Sequence, residues 1–177
     1  MVVSTGTFAV LSFGNHSTAN PMVIFSVSFF FSTILTIMTV LFMKKKGKLS
    51  DLDASVREQR VEPLIYGTIF YALGFLALLF LEAPKIIQGL MFCYAINTGV
   101  VWFITRYWKI SIHAIGLGGP LVAMWLVGYQ FPILMGLAMI LVCSSRVILK
   151  AHTPAQVMAG AGLGMGLAYF ELTFLFL

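Results

Sequence analysis

Two short polar clusters in the second half of the chain hold side chains that could transfer a phosphoryl group. Ser111 and His113 form the first, and in the second five residues separate Arg146 from His152. A guanidinium group offers a planar fork of N–H donors that matches phosphate oxygens. Two histidines can divide the remaining work, one as nucleophile and one as proton donor. The residue types therefore favour phosphoryl transfer through a phosphohistidine, without a metal or other cofactor.

The chain that must position these clusters is too apolar for a water-soluble fold. Of its 177 residues 60% are hydrophobic and only 10% are charged, and the mean hydropathy is +0.98. A soluble domain carries about 25% charged residues. A membrane crossing takes about 20 residues, so the length allows about six. We therefore predict one all-α domain over residues 1–177, a polytopic bundle of about six transmembrane helices.

Polar junctions divide the sequence into six apolar stretches. The predicted spans cover residues 21–43, 63–81, 86–105, 114–127, 131–149 and 155–177. Residues 1–20 are mixed in character, and we predict a short external tail there. The candidate chemistry therefore falls at span boundaries, where ionisable residues are costly to place and commonly functional.

Glycines in the fourth and sixth spans predict close helix packing. Gly160 and Gly164 are four residues apart, as are Gly162 and Gly166. Small residues at this spacing allow helix backbones to approach each other closely in lipid. A less favoured alternative is that the glycine-rich backbone of residues 116–119 approaches a bound phosphate.

The basic residues predict the orientation in the membrane. The junctions after the first, third and fifth spans must lie on one side, and they contain ten cations: Lys44, Lys45, Lys46, Lys48, Arg57, Arg60, Arg106, Lys109, Arg146 and Lys150. Lys85 alone lies on the other side. The positive-inside rule then predicts that the three junctions are cytoplasmic and both termini external. The cations flank spans and form no surface stripe, so the pattern does not indicate a nucleic-acid partner.

Three segments resemble signatures of the type-2 phosphatidic acid phosphatase superfamily, the lipid phosphate phosphatases. Residues 145–152 read Ser-Arg, five residues and His, which resembles the third signature. Residues 110–113, Ile-Ser-Ile-His, resemble the second, Pro-Ser-Gly-His, and residues 53–60 resemble the first, Lys, six residues, Arg-Pro. The six-span layout also matches, so the resemblance covers most of the chain from the first loop onward.

The resemblance implies a role for each matching position. His152 would attack phosphorus and His113 would protonate the leaving oxygen. Arg60, Ser111 and Arg146, which Ser145 precedes in the motif, would hold the phosphoryl oxygens as charge builds up in the transition state. The implied substrate is a phospholipid or a polyprenyl phosphate or diphosphate. Its tail would stay among the membrane lipids of the cell membrane.

The departures from the signatures affect the expected chemistry. Gln156 stands four residues after the expected nucleophile, where the family has Asp; its amide oxygen can accept the imidazole N–H and orient the ring. An amide cannot stabilise an imidazolium as a carboxylate does. Asp53 stands where Lys is expected and Val61 where Pro is expected, so Lys109 or Arg57 would supply the missing positive charge. The second segment lacks both the Pro and the Gly.

Two functions from other classes stay open. The Gln and Asp departures are also compatible with a catalytically weak or inactive relative that binds anionic phospholipid. A small transporter is less favoured, because its polar residues should line a path across the bilayer, whereas these collect on one side.

Asp51 and Asp53 indicate a solvated helix start more than a metal site. Glu171 is a lone carboxylate in the last span with no assigned function.

Overall fold

The computed structural model describes residues 2–14, 20–52 and 56–177. The regular structure of these residues is entirely helical. The helices are α1 (Val2–Gly14), α2 (Pro21–Lys45), α3 (Glu58–Phe80), α4 (Lys85–Thr105), α5 (Ile112–Leu126), α6 (Pro132–Ile148) and α7 (Pro154–Phe176). A π-helical turn interrupts α2 at Phe30–Ile34, and another ends α7 at Leu172–Phe176.

Four of the helices are long and apolar enough to cross a membrane, namely α2, α3, α4 and α7. At 1.5 Å per residue, their 21–25 residues extend over about 30 Å or more, which is the thickness of the hydrocarbon core. The apolar helices α5 and α6 have 15 and 17 residues and fall short of that length. All six predicted stretches are thus helical and the membrane class is supported, whereas six crossings stay a prediction.

The N-terminal segment differs from the predicted external tail. Helix α1 packs into the bundle, where Phe8 and Leu11 are 0% and 1% exposed. The ring of Phe8 meets Tyr94 of α4 edge-on at 5.9 Å between centroids, and the hydroxyls of Thr5 and Thr33 are 3.1 Å apart. Thirteen residues are too few for a span, so the apolar run of α1 gave no span signal. Tertiary packing rather than length stabilises this helix.

Helices α5 and α7 pack with their backbones in contact, and glycines make this possible. A Cβ on Gly118 would lie 2.7 Å from the carbonyl carbon of Gly164, and a Cβ on Gly164 would lie 2.6 Å from the carbonyl oxygen of Ile115. A Cβ on Gly160 would lie 2.8 Å from the carbonyl oxygen of Ser111. These separations leave no room for any other residue, so the predicted packing is confirmed for Gly160 and Gly164.

The second predicted glycine pair does not take part in this contact. A Cβ on Gly162 or Gly166 would have no atom within 4 Å to meet, because these positions face away from α5. The spacing was right for one helix face and wrong for the other. In the fourth stretch, Gly118 and Gly119 lie against α7 and α4 within the bundle, so helix packing accounts for them.

Candidate functional site

Three junctions of the chain meet at one end of the bundle. Arg60 Nη1 donates to the carbonyl oxygen of Ile110 at 3.2 Å, which ties the start of α3 to the junction before α5. Lys109 Nζ donates to the carbonyl oxygen of Ala151 at 2.7 Å, which ties that junction to the one before α7. The three polar junctions that the sequence predicted on one side of the membrane therefore lie together.

We call Arg60, Lys109, His152 and Gln156 the junction cluster. Arg60 is 3% and His152 is 6% exposed, and Arg60 Nη2 lies 3.5 Å from His152 Nε2. The cluster draws one side chain from the start of α3, one from the junction before α5 and two from the junction before α7 and that helix's first turn. No two of these segments are consecutive in the chain, so only the folded bundle brings them together.

The end of α6 positions His152. Lys150 has φ +53° and its N–H donates to Val147 O, while the Ala151 N–H donates to Arg146 O at 3.0 Å. These two bonds form a Schellman motif, in which a left-handed residue ends the helix and its last carbonyls are satisfied. The N–H of His152 also donates to Arg146 O, at 3.2 Å. The motif turns the chain sharply, and His152 follows within two residues.

The first turn of α7 fixes the orientation of Gln156. Thr153 caps the helix, since its Oγ1 accepts from the Gln156 N–H at 3.3 Å. Gln156 Oε1 in return accepts from the Thr153 N–H at 3.2 Å. This reciprocal capping box identifies the amide oxygen, because an amide nitrogen could not accept from a backbone N–H. The same Oε1 lies 3.1 Å from His152 Nδ1.

These contacts define the tautomer of His152. An amide oxygen only accepts hydrogen bonds, so Nδ1 must carry the proton that it donates to Gln156. In the neutral ring Nε2 then keeps its lone pair, and this atom is the one that lies 3.5 Å from the Arg60 guanidinium. A nucleophilic nitrogen beside a cation that can hold an anionic electrophile is an arrangement compatible with phosphoryl transfer through a phosphohistidine.

The surroundings of His152 keep its imidazole neutral. Burial lowers its pKa from 6.5 to about 4, and the charges of Arg60, Lys109 and His113 act in the same direction. The hydrogen bond to Gln156 opposes the shift. The pKa of Lys109 is also lowered, first by burial and then by Arg60. A neutral His152 among cations can act as a nucleophile at physiological pH, since no proton has to leave Nε2 first.

The fold divides the first predicted cluster, Ser111 and His113. Ser111 is fully buried as the N-cap of α5, where its Oγ accepts from the Ala114 N–H at 3.4 Å. His113 lies exposed in the first turn of that helix and influences His152 through its charge. Ser111 thus has a structural role as a cap, which orients the turn that carries His113. Their predicted roles in binding and protonating the phosphate stay predictions.

The remaining predicted residues lie at the edge of the cluster or outside it. Arg146 is half-buried in the last turn of α6, and its carbonyl oxygen is the acceptor that shapes the turn before His152. Ser145 Oγ donates to Val142 O at 2.8 Å within its own helix, so it does not join the cluster. Arg57 Nη1 donates to Tyr107 O at 3.3 Å. Asp53 lies outside the residues that the structure describes.

Some features of the site were missed by reasoning from the sequence. The carbonyl oxygens of Ile110 and Ala151, which hold the two cluster cations, have no side-chain signal. The capping box did have one, because Thr153-Pro154 followed by Gln156 is a recognisable helix start. Within the described ranges, no group of three or more His, Cys, Asp or Glu residues is placed to hold a metal ion.

Comparison with known proteins does not place the chain in a family. No protein-family model, no curated protein and no solved structure matches it.

Proposed function

We propose that this chain is an integral membrane phosphatase that hydrolyses a lipid-linked phosphate through a phosphohistidine on His152. The proposal rests on one observation above all. The Nδ1 of His152 donates to Gln156, and its Nε2 faces the Arg60 guanidinium at 3.5 Å; burial lowers the pKa of the ring to about 4, which favours its neutral form. The apolar helices supply the membrane setting, and the resemblance of residues 145–152 to a lipid phosphatase signature agrees with this chemistry.

In the proposed reaction, His152 Nε2 attacks phosphorus and forms an N–P bond while the bond from phosphorus to the lipid oxygen breaks. His113 gives a proton to the leaving oxygen, which departs as a lipid alcohol or, from a diphosphate, as the lipid monophosphate. Water then attacks the phosphohistidine, releasing inorganic phosphate and restoring neutral His152, while its proton returns to His113. Arg60 and Lys109 would stabilise the equatorial oxygens in both steps.

Substrate binding would exchange partners within the cluster. Arg60 and Lys109 donate to the carbonyl oxygens of Ile110 and Ala151, which are neutral acceptors. Phosphate oxygens are charged and make roughly twice as strong a hydrogen bond to a cation. We therefore propose that the head group displaces these carbonyl contacts. We propose that this end of the bundle faces the cytoplasm, which the positive-inside pattern favours, and that the lipid tail lies in the bilayer of the cell membrane.

The second candidate function is that of a silent binder, a protein that binds anionic phospholipid without cleaving it. The presence of Gln156 beside His152 favours it. Its neutral amide orients His152 without stabilising the imidazolium that a carboxylate would support. In that case Arg60 and Lys109 would hold a lipid phosphate that is never cleaved. Binding would then occur without release of phosphate.

Phosphate release from a panel of phospholipid and polyprenyl phosphates, by purified protein in detergent with EDTA present, tests the proposal. Release should fall to background in His152→Ala and persist in Ser144→Ala, a neighbouring exposed position on α6. Gel filtration and the thermal transition establish that each variant is folded. Folded protein that binds these lipids but releases no phosphate would support the silent binder, and release that survives in His152→Ala would refute the phosphohistidine.

A further inference from the structure

A groove on the outer face of the bundle lies between α2 and α3, and no residue of the junction cluster lines it. Its cavity is about 460 Å³, within the range of sites that hold small ligands. The walls are apolar along most of their length, including Met38, Phe42, Tyr66 and Phe70. Glu62, Tyr66 and Phe70 recur every four residues on α3, so they form one stripe that faces α2.

The two ends of the groove differ in chemistry. Its far end is lined by apolar side chains and the hydroxyl of Thr39, whereas Lys46, Lys48 and Glu62 line the end near the junctions. Lys48 pairs with Glu62 at 2.6 Å, and Lys46 Nζ stands 4.4 Å above the ring of Phe42. Lys44 and Lys45 are also exposed at this end of α2. Two lysines and one carboxylate line this end, and the two further exposed lysines beside it add positive charge. Apolar walls lead from this end into the membrane region.

We propose that this groove binds an anionic phospholipid, whose acyl chain lies against α2 and α3 and whose phosphate is held by Lys46 and Lys48. The charge of the groove selects the occupant, since a zwitterionic lipid gains little from a cluster of lysines. Lysines near a membrane surface attract anionic lipids. The site does not depend on the proposed catalysis, because Glu62 pairs with Lys48 in the groove, whereas Arg60 contacts Ile110 and His152 in the junction cluster.

Quenching of a tryptophan by brominated lipid tests this site. Phe70→Trp places a probe in the groove, and Leu137→Trp is the matched control on exposed α6. By helix rise, position 70 lies about 15 Å along α3 from Arg60, and position 137 lies about 16 Å along α6 from Ile148. Both reference residues lie at the junction end of the bundle, so the two probes have similar depths in the membrane. Each is placed in phosphatidylcholine vesicles with a minor fraction of brominated phosphatidylglycerol. The three native tryptophans are common to both proteins and cancel in the comparison.

We expect brominated phosphatidylglycerol to quench Phe70→Trp well beyond Leu137→Trp. Lys46→Gln and Lys48→Gln should each weaken this preference, by about fivefold per lysine, while Lys150→Gln at the same membrane side should leave it unchanged. Equal quenching at both positions would overturn the proposal, as would brominated phosphatidylcholine quenching Phe70→Trp equally well. If Phe70→Trp fails to fold, Tyr66→Trp on the same stripe is the second probe.

Discussion

Protonation of His152 should destabilise the fold as the pH falls. The pKa of this buried ring is about 4 in the folded protein against an ordinary 6.5, so between these values the unfolded chain binds more protons than the folded one. Stability is therefore lost as the pH drops from about 6.5 towards 4. His152→Gln removes the titrating group and should remove this part of the pH dependence.

The expected size follows from the two pKa values. At pH 7 both states are almost fully deprotonated at His152, and the penalty is negligible. At pH 5 the unfolded chain is mostly protonated and the folded protein is not, which corresponds to a loss of about 2 kcal/mol. Below pH 4 the loss approaches about 3 kcal/mol, from 1.36 kcal/mol per pKa unit.

The measurement is the free energy of unfolding in mild detergent at pH 7 and pH 5, followed by tryptophan fluorescence during a denaturant titration. The wild type should lose about 2 kcal/mol more than His152→Gln over this interval. His113→Gln is the control, because that ring is exposed and its removal should leave most of the loss in place. Equal losses in the wild type and His152→Gln would refute the conclusion that His152 is held neutral by burial.

Three further predictions concern the contacts around the site. Gly164→Ala should destabilise the fold by about 1–3 kcal/mol, because its Cβ would lie 2.6 Å from a backbone oxygen. Gly162→Ala is the control, since this position faces open space, and it should stabilise the fold by up to about 1 kcal/mol. Denaturant titration measures both changes. Lys150→Gly should stabilise the fold by about 1 kcal/mol, since φ is +53° there; an unchanged or lower thermal transition would contradict the assigned turn. Gln156→Glu keeps the capping box and adds a carboxylate beside Nδ1 of His152, so it should raise the pKa of His152 and increase phosphate release. Gln156→Leu removes the acceptor and should lower phosphate release. The pH–rate profiles of both variants measure these effects.

The sequence predicted where the helices lie along the chain better than it predicted which surfaces of the helices pack together. Apolar stretches of span length located six of the seven helices that the described residues form, because length and hydropathy are local properties. Helix α1 was missed, since the burial of Phe8 and Leu11 depends on contacts with α4 and other distant residues. Spacing identified Gly160 and Gly164 as packing positions, but it equally suggested Gly162 and Gly166, and only the direction of α5 distinguishes the two pairs.

Part of the candidate site was also predictable, because the order of spans and junctions can be read from the sequence. The alternation of spans and junctions along the chain was enough to expect Arg60, Lys109 and His152 at one end of the bundle. The partner of His152 was also expected, since Gln156 lies one helical turn away. The sequence could not show that Ser145 bonds back to its own helix. Nor could it show that the backbone carbonyls of Ile110 and Ala151 accept hydrogen bonds from the two cluster cations.

Trapping of a phosphorylated intermediate tests the central claim most directly. Protein mixed with radiolabelled lipid phosphate is quenched in alkaline denaturant, and the labelled peptide is identified. We predict label on the peptide that contains His152, which mild acid removes, as expected for a phosphoramidate, and no label in His152→Ala. Phosphate release from the wild type without labelled protein, or label that persists in His152→Ala, would contradict the account.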